Sequence, residues 1–199
     1  MPIIKYNKVL QRVFKKIVFR VDDIVNEGIP QAYAKKVLHL LSKTGRIKRI
    51  ERGKYTTSDD PVAVAAHITH PCYISLWTAM SIRRITTQIP FAVEVVTSRK
   101  RFKRKIEFEG VPIIFYTVSP KMMFGYENVI WKENIRIAVA KPEKVIIDAL
   151  YLGKIPFDEL KEAVRVSDVK ILKEYSKLTG DEKIVQTVKR LIEKKKRRG

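Results

Sequence analysis

Six cations fall within seven residues at Arg99, Lys100, Arg101, Lys103, Arg104 and Lys105, interrupted only by Phe102. Charges of this density can grip phosphates while the ring stacks on a base. They can equally bind an acidic protein. The plain alternative is a solvated loop with Phe102 tucked into the core. A second cationic set, Lys48, Arg49, Arg52 and Lys54, brackets an Arg-Gly dipeptide. Such residues touch phosphates or reach into the minor groove. A third set, Gln31, Lys35, Lys36 and His39, has the spacing of one exposed helix side and its flank. Side chains so placed can reach base edges when their helix enters the major groove. Tyr33 lies to the side, where it contacts phosphate or packs. The plain alternative here is a small helical domain with solvated lysines.

Other residue types suit catalysis less well. His67, His70 and Cys72 suit a transition metal. No second cluster completes four ligands, since the remaining histidine is His39. Structural histidines and a buried thiol are expected instead. Glu94, Glu107, Glu109, Glu143 and Asp148 are candidate acids for a metal-dependent nuclease, which needs them convergent. Glu143 and Asp148 are five apart on one helix and do not share a face. Glu143, just after Pro142, has an ordinary job in stabilising a first helical turn. No phosphate-binding glycine loop and no Ser-His-Asp or Cys-His arrangement is found. The expectation is a protein that is not an enzyme, with no catalytic residue, no metal and no cofactor.

The elements that must position these residues follow from periodicity. Ile3, Tyr6, Leu10, Val13, Phe14 and Ile17 recur at helical spacing, predicting a first helix from residue 3 to about 16. Residues 21–26 form a short second helix stopped by Gly28. Pro30 suits the first turn of a third helix that Gly45 closes. On it Ala34, Val37, Leu38 and Leu41 share the apolar face. Ile47 and Ile50, then Arg52-Gly53, then Lys54-Tyr55-Thr56 read as strand, tight turn, strand. Three helices and a basic hairpin make a winged helix. Residues 58–61, Ser-Asp-Asp-Pro, mark a boundary, giving domains 1–60 and 61–199. The remainder reads as mixed α/β. Helices are expected at 61–68, 75–83 and from Pro142 to Tyr151. Strands are expected at 91–97, 106–108, 111–118 and 135–140. A helical C-terminus follows at 157–166, 169–177 and 181–195, with a basic tail at 194–198. The fold class is therefore α+β.

The chain has 199 residues, 45% of them hydrophobic, enough for a packed core, and a formal net charge of +20. Such a charge favours a polyanionic partner, nucleic acid above all. No apolar run is long enough to span a bilayer, and no signal peptide or lipidation signal is read. Cys72 is the single cysteine and has no intrachain disulfide partner. A cytoplasmic location is expected, with no membrane partner.

An ordered series of motifs adds to this. Gly45, Ile47, Arg49, Ile50, Arg52, Gly53 and Tyr55 are followed by Pro71, Tyr73, Ile74, Ser75, Leu76, Trp77 and Ala79. Thr87-Gln88-Ile89-Pro90, Phe124-Gly125 and Ala140-Lys141-Pro142-Glu143-Lys144 with Asp148 complete it. The series resembles the AbiEi-type antitoxin family, transcriptional regulators of abortive-infection toxin–antitoxin systems. The resemblance implies an N-terminal winged helix that binds double-stranded DNA at its own promoter and represses its operon. It also implies an α/β domain opposing a cognate nucleotidyltransferase toxin, with or without direct contact. It assigns structural duties to residues 75–77, fixing a helix against the sheet, and to 142–148, starting and anchoring another. The C-terminal helices and basic tail carry no matching motif. The competing readings are a protein-interaction module whose basic loop 99–105 binds an acidic partner and, last, the nuclease.

Overall fold

The computed structural model describes residues 6–196. The start of the first expected helix at Ile3 and the end of the basic tail lie outside them. Helix α1 (Asn7–Val13) buries Leu10 and Val13. It stops sooner than its periodicity suggests: Phe14 caps it, and residues 15–16 turn away. Helix α2 (Val21–Val25) starts where Asp23 Oδ2 accepts the Arg20 backbone N–H at 2.7 Å. Helix α3 (Gln31–Lys43) follows Pro30, which sits one position before the first turn, and buries Ala34, Val37, Leu38 and Leu41. Thr44 Oγ1 donates to the Leu40 and Leu41 carbonyls, both at 3.1 Å, which terminates the helix.

Strands β1 (Phe19–Arg20), β2 (Lys48–Glu51) and β3 (Lys54–Thr56) form an antiparallel sheet in the order β1-β3-β2. The hairpin turn holds Gly53 at φ +75°, a backbone state that a Cβ disfavours. Between the Arg49–Tyr55 and Glu51–Lys54 pairs, Ile50 is an extra residue, a β-bulge. The bulge sends Ile50 into the larger of two hydrophobic clusters, whereas neighbouring Ile47 belongs to the smaller. Strand β1 is not visible as a period: two residues cannot alternate.

The second part is built on a six-stranded sheet in the order β6-β7-β5-β4-β9-β8. Its strands are β4 (Cys72–Ile74), β5 (Val93–Thr97), β6 (Lys105–Phe108), β7 (Val111–Thr117), β8 (Tyr126–Ile130) and β9 (Arg136–Ala140). The β5–β7 and β4–β9 pairs are parallel and the others antiparallel. Every residue of β4 and β5 is buried, as expected of strands covered on both faces. Helices α4 (Pro61–His67), α5 (Leu76–Ile82) and α6 (Pro142–Leu152) pack on this sheet. The chain closes with α7 (Lys161–Val166), α8 (Val169–Leu178) and α9 (Glu182–Lys196). The fold is thus α+β, a helix-turn-helix-like domain followed by an α/β domain. Besides β1, two strands differ from the sequence expectation: β4, too short to show a period, and β8, an exposed strand holding Glu127 and Asn128.

The motif residues of the α/β domain meet in its interior. Asp148, on α6, is fully buried and accepts from Ser75 Oγ at 2.8 Å and Tyr73 Oη at 3.1 Å. Lys144 Nζ, also fully buried, lies 2.7 Å from Asp148 and 4.2 Å above the Phe124 ring. Burial pushes the Asp148 carboxyl up and the Lys144 ammonium down from their ordinary values. This cluster ties β4, α5 and α6 together. Gly125 stands beside it at φ +71°; an added Cβ would lie 2.6 Å from Tyr175 Cε2 and 3.1 Å from Lys144 Cβ.

Candidate nucleic-acid interface

Burial of one apolar stripe leaves Gln31, Lys35, Lys36, His39 and Lys43 exposed on α3. None of these side chains is held in an ion pair among the described residues. Tyr33 is half-buried, with its ring 5.2 Å from that of Tyr6, and packs against the smaller core. Arg49 is exposed on β2 and Arg52 is exposed at the hairpin turn. The other two hairpin cations have partners within the chain, which the sequence expectation did not include. Lys48 reaches Asp59 at 2.7 Å and Glu109 at 2.6 Å. Those two hydrogen bonds raise its pKa. Lys54 is turned inward, 2.7 Å from Glu51 Oε1, and donates to the Ile68 carbonyl at 2.7 Å. The second domain supplies half of these partners, Glu109 and the Ile68 carbonyl, because β2 runs beside β6.

Glu51 is the hub of that junction. Its other oxygen, Oε2, accepts from Arg101 at 2.7 Å, and the Arg101 guanidinium lies 3.9 Å over the Phe115 ring. Burial works to raise the Glu51 carboxyl, but Lys54 and Arg101 outweigh it and hold it below its ordinary value. Arg101, read as a contact residue, is therefore a buried clasp. Its neighbours are different. Arg99, Lys100, Lys103 and Arg104 are exposed, with Arg99 Nε donating to the His70 carbonyl at 3.0 Å. Phe102 is 102% exposed, so the ring is not tucked into the core.

Several of the remaining candidate residues have structural partners. His67 Nδ1 lies 2.8 Å from the Ala63 carbonyl. Burial and the neighbouring His67 hold the His70 imidazole below its ordinary value, so it adds no charge at neutral pH. Cys72 is buried, donates to the Ala66 carbonyl at 3.3 Å, and its thiol is pushed up to about 12 by burial. Glu94 accepts from the Trp77 N–H and Tyr116 Oη, and burial raises its carboxyl. Glu143 accepts the Asp168 N–H at 2.6 Å, stabilising the start of α8 rather than only its own helix. Among the described residues no group of three or more His, Cys, Asp or Glu is gathered as a metal site. No helix among the described residues is long and apolar enough to cross a membrane. Sequence reasoning missed Arg20, exposed on β1 beside the hairpin; only recognition of the third strand would have placed it there.

The chain thus places a helix-turn-helix-like domain, with exposed cations on α3, ahead of an α/β domain. A likeness to one family is found in the N-terminal segment. Residues 8–57, from α1 to just past β3, match the family model described as transcriptional regulator, AbiEi antitoxin. The resemblance is thereby shown over that segment. No curated protein matches the chain.

Proposed function

We propose that this chain is a sequence-specific, DNA-binding transcription regulator that represses its own promoter and serves as the antitoxin of a toxin–antitoxin operon. Residues 1–60 form the winged-helix reader in this account, and residues 61–199 the antitoxin-like domain. The observation that carries it is the exposed α3 face, where Gln31, Lys35, Lys36 and His39 stand clear of the buried stripe. These side chains supply base contacts in the major groove. Arg49 and Arg52 bind the backbone from the hairpin, which acts as a short wing. Lys48 and Lys54 hold that wing against the α/β domain instead of touching DNA, and Tyr33 supports α3 from within. The family description supports both regulation and antitoxin activity. The cognate toxin is a nucleotidyltransferase, opposed with or without direct contact.

Footprinting on the DNA upstream of its own gene tests this reading. The expected result is a protected site that an unrelated duplex of equal length does not show. Protection spread evenly over both duplexes contradicts sequence-specific regulation. Co-expression with a nucleotidyltransferase gene adjacent to its own tests the antitoxin half: growth is restored by the intact chain, and failure of rescue, or the absence of such a gene, removes that half alone.

A further inference from the structure

A cleft of about 750 Å³ separates the tip of the small sheet from the loop that joins β5 to β6. Its floor is the Glu51 clasp, which neutralises Lys54 and Arg101. Its walls are cations held in no ion pair among the described residues: Arg20 and Arg52 on one side, Lys100 and Lys103 on the other. All four are exposed. Phe102 lines the same cleft and is fully exposed between Arg101 and Lys103. An aromatic ring held in water at the tip of a structured cationic loop has no role in the core.

From this cleft we infer a second binding site, for an unpaired nucleic-acid strand. Arg20, Arg52, Lys100 and Lys103 take its phosphodiesters, and Phe102 stacks on one of its bases. Three observations favour this ligand over other polyanions. The volume matches a few nucleotides; a duplex is far wider and can only lie across the rim. A base offers its π-face to Phe102 only when it is unstacked, as in a single strand. The carboxylates of an acidic peptide would satisfy the four cations but offer no π-face to the ring, whereas every nucleotide carries one. The site is independent of the α3 reading, sharing with it only Arg52. Duplex binding by α3 can fail while this site stands, and the reverse.

Fluorescence anisotropy on the full chain tests it, with labelled twelve-residue thymidine DNA, uridine RNA, an abasic strand of the same length and a twelve-base-pair duplex. The thymidine or uridine strand is expected to bind more tightly than the abasic strand, and whichever binds better identifies the source. Phe102→Ala should weaken that strand about ten-fold or more. It should leave the abasic strand and the duplex unchanged. Lys100→Ala with Lys103→Ala should reduce the salt slope for the single strand by about 1.4, two phosphates at about 0.7 each. These positions are exposed, and an unchanged thermal melt confirms that each variant is folded. Equal affinity for abasic and base-bearing strands, or no effect of Phe102→Ala, overturns the proposal. So does displacement of the strand by a polyglutamate peptide at lower concentration than by unlabelled strand, which would assign the cleft to an acidic protein.

Discussion

Arg52 and Lys54 are two residues apart in one hairpin, and the structure gives them opposite duties. Arg52 is exposed at the turn, whereas Lys54 bonds Glu51 and the Ile68 carbonyl. Arg52→Ala is expected to weaken all duplexes alike and to lower the salt slope of binding by about 0.9, one phosphate. Lys54→Met is expected to leave that slope alone and to cost about 2 kcal/mol of stability, the scale of a hydrogen bond to a charged group. A salt titration and a thermal melt on each variant separate the two. Glu51 adds a pH test. Its folded pKa is held below the ordinary 4.5, so its contribution is fully present above that pH. It fades as pH falls below 4.5 through the folded value. Glu51→Gln should therefore narrow the stability gap to the native chain on acidification, as melting at pH 7 and below pH 4 will show. The distinction between Arg52 and Lys54 was not legible in the sequence. Both are basic and both flank the turn; only the Ile68 carbonyl, outside the hairpin, and the Glu51 carboxylate that Arg101 shares draw Lys54 inward.

At the scale of elements, α3 was legible because its apolar residues repeat at a helical period and Gly45 ends it. The hairpin was legible because Arg52-Gly53 permits the positive φ that the turn adopts. Strand β4 was not, since its three residues are all buried and show no alternation. Yet β4 contributes Tyr73 to the cluster that anchors α6 through Asp148. Residues 75–77 and 142–148 were expected to fix helices, and the buried Ser75, Lys144 and Asp148 contacts give that expectation its atomic content. Asp148→Ala leaves the Lys144 charge buried without its carboxylate and is expected to cost about 3–5 kcal/mol. Replacing both residues by apolar ones should recover much of that loss, because the desolvation of two charges is removed together. Gly125→Ala is expected to destabilise by overpacking against Tyr175, on the order of 1–3 kcal/mol, with the left-handed backbone adding strain. Denaturant unfolding of the three variants checks these magnitudes.

Across the whole molecule, the charge of +20 pointed to a polyanion but not to where it would lie. The structure divides the cations by use. Some, such as Lys48, Lys54, Arg101 and Lys144, are consumed by internal partners. Others remain outward on α3, on the hairpin and on the 99–104 loop. The internal ones at the hairpin also bind the two parts of the chain to each other, through Lys48 to Glu109 and Glu51 to Arg101. Ile50 joins them from the bulge by packing in the larger core. A wing fixed in this way presents Arg49 and Arg52 in one orientation beside α3. In the proposed account its position needs no reordering when a duplex docks, so the ordering cost of binding is reduced. The central claim is that the α3 face reads base sequence. Its most direct test is the affinity of the full chain for its own promoter duplex relative to an unrelated duplex of equal length. The comparison is then repeated with Gln31→Ala plus Lys36→Ala. The account predicts a strong native preference that falls roughly ten-fold or more in the variant, from the loss of base contacts worth about 1–3 kcal/mol each. An unaltered preference in a variant that melts like the native chain would contradict it.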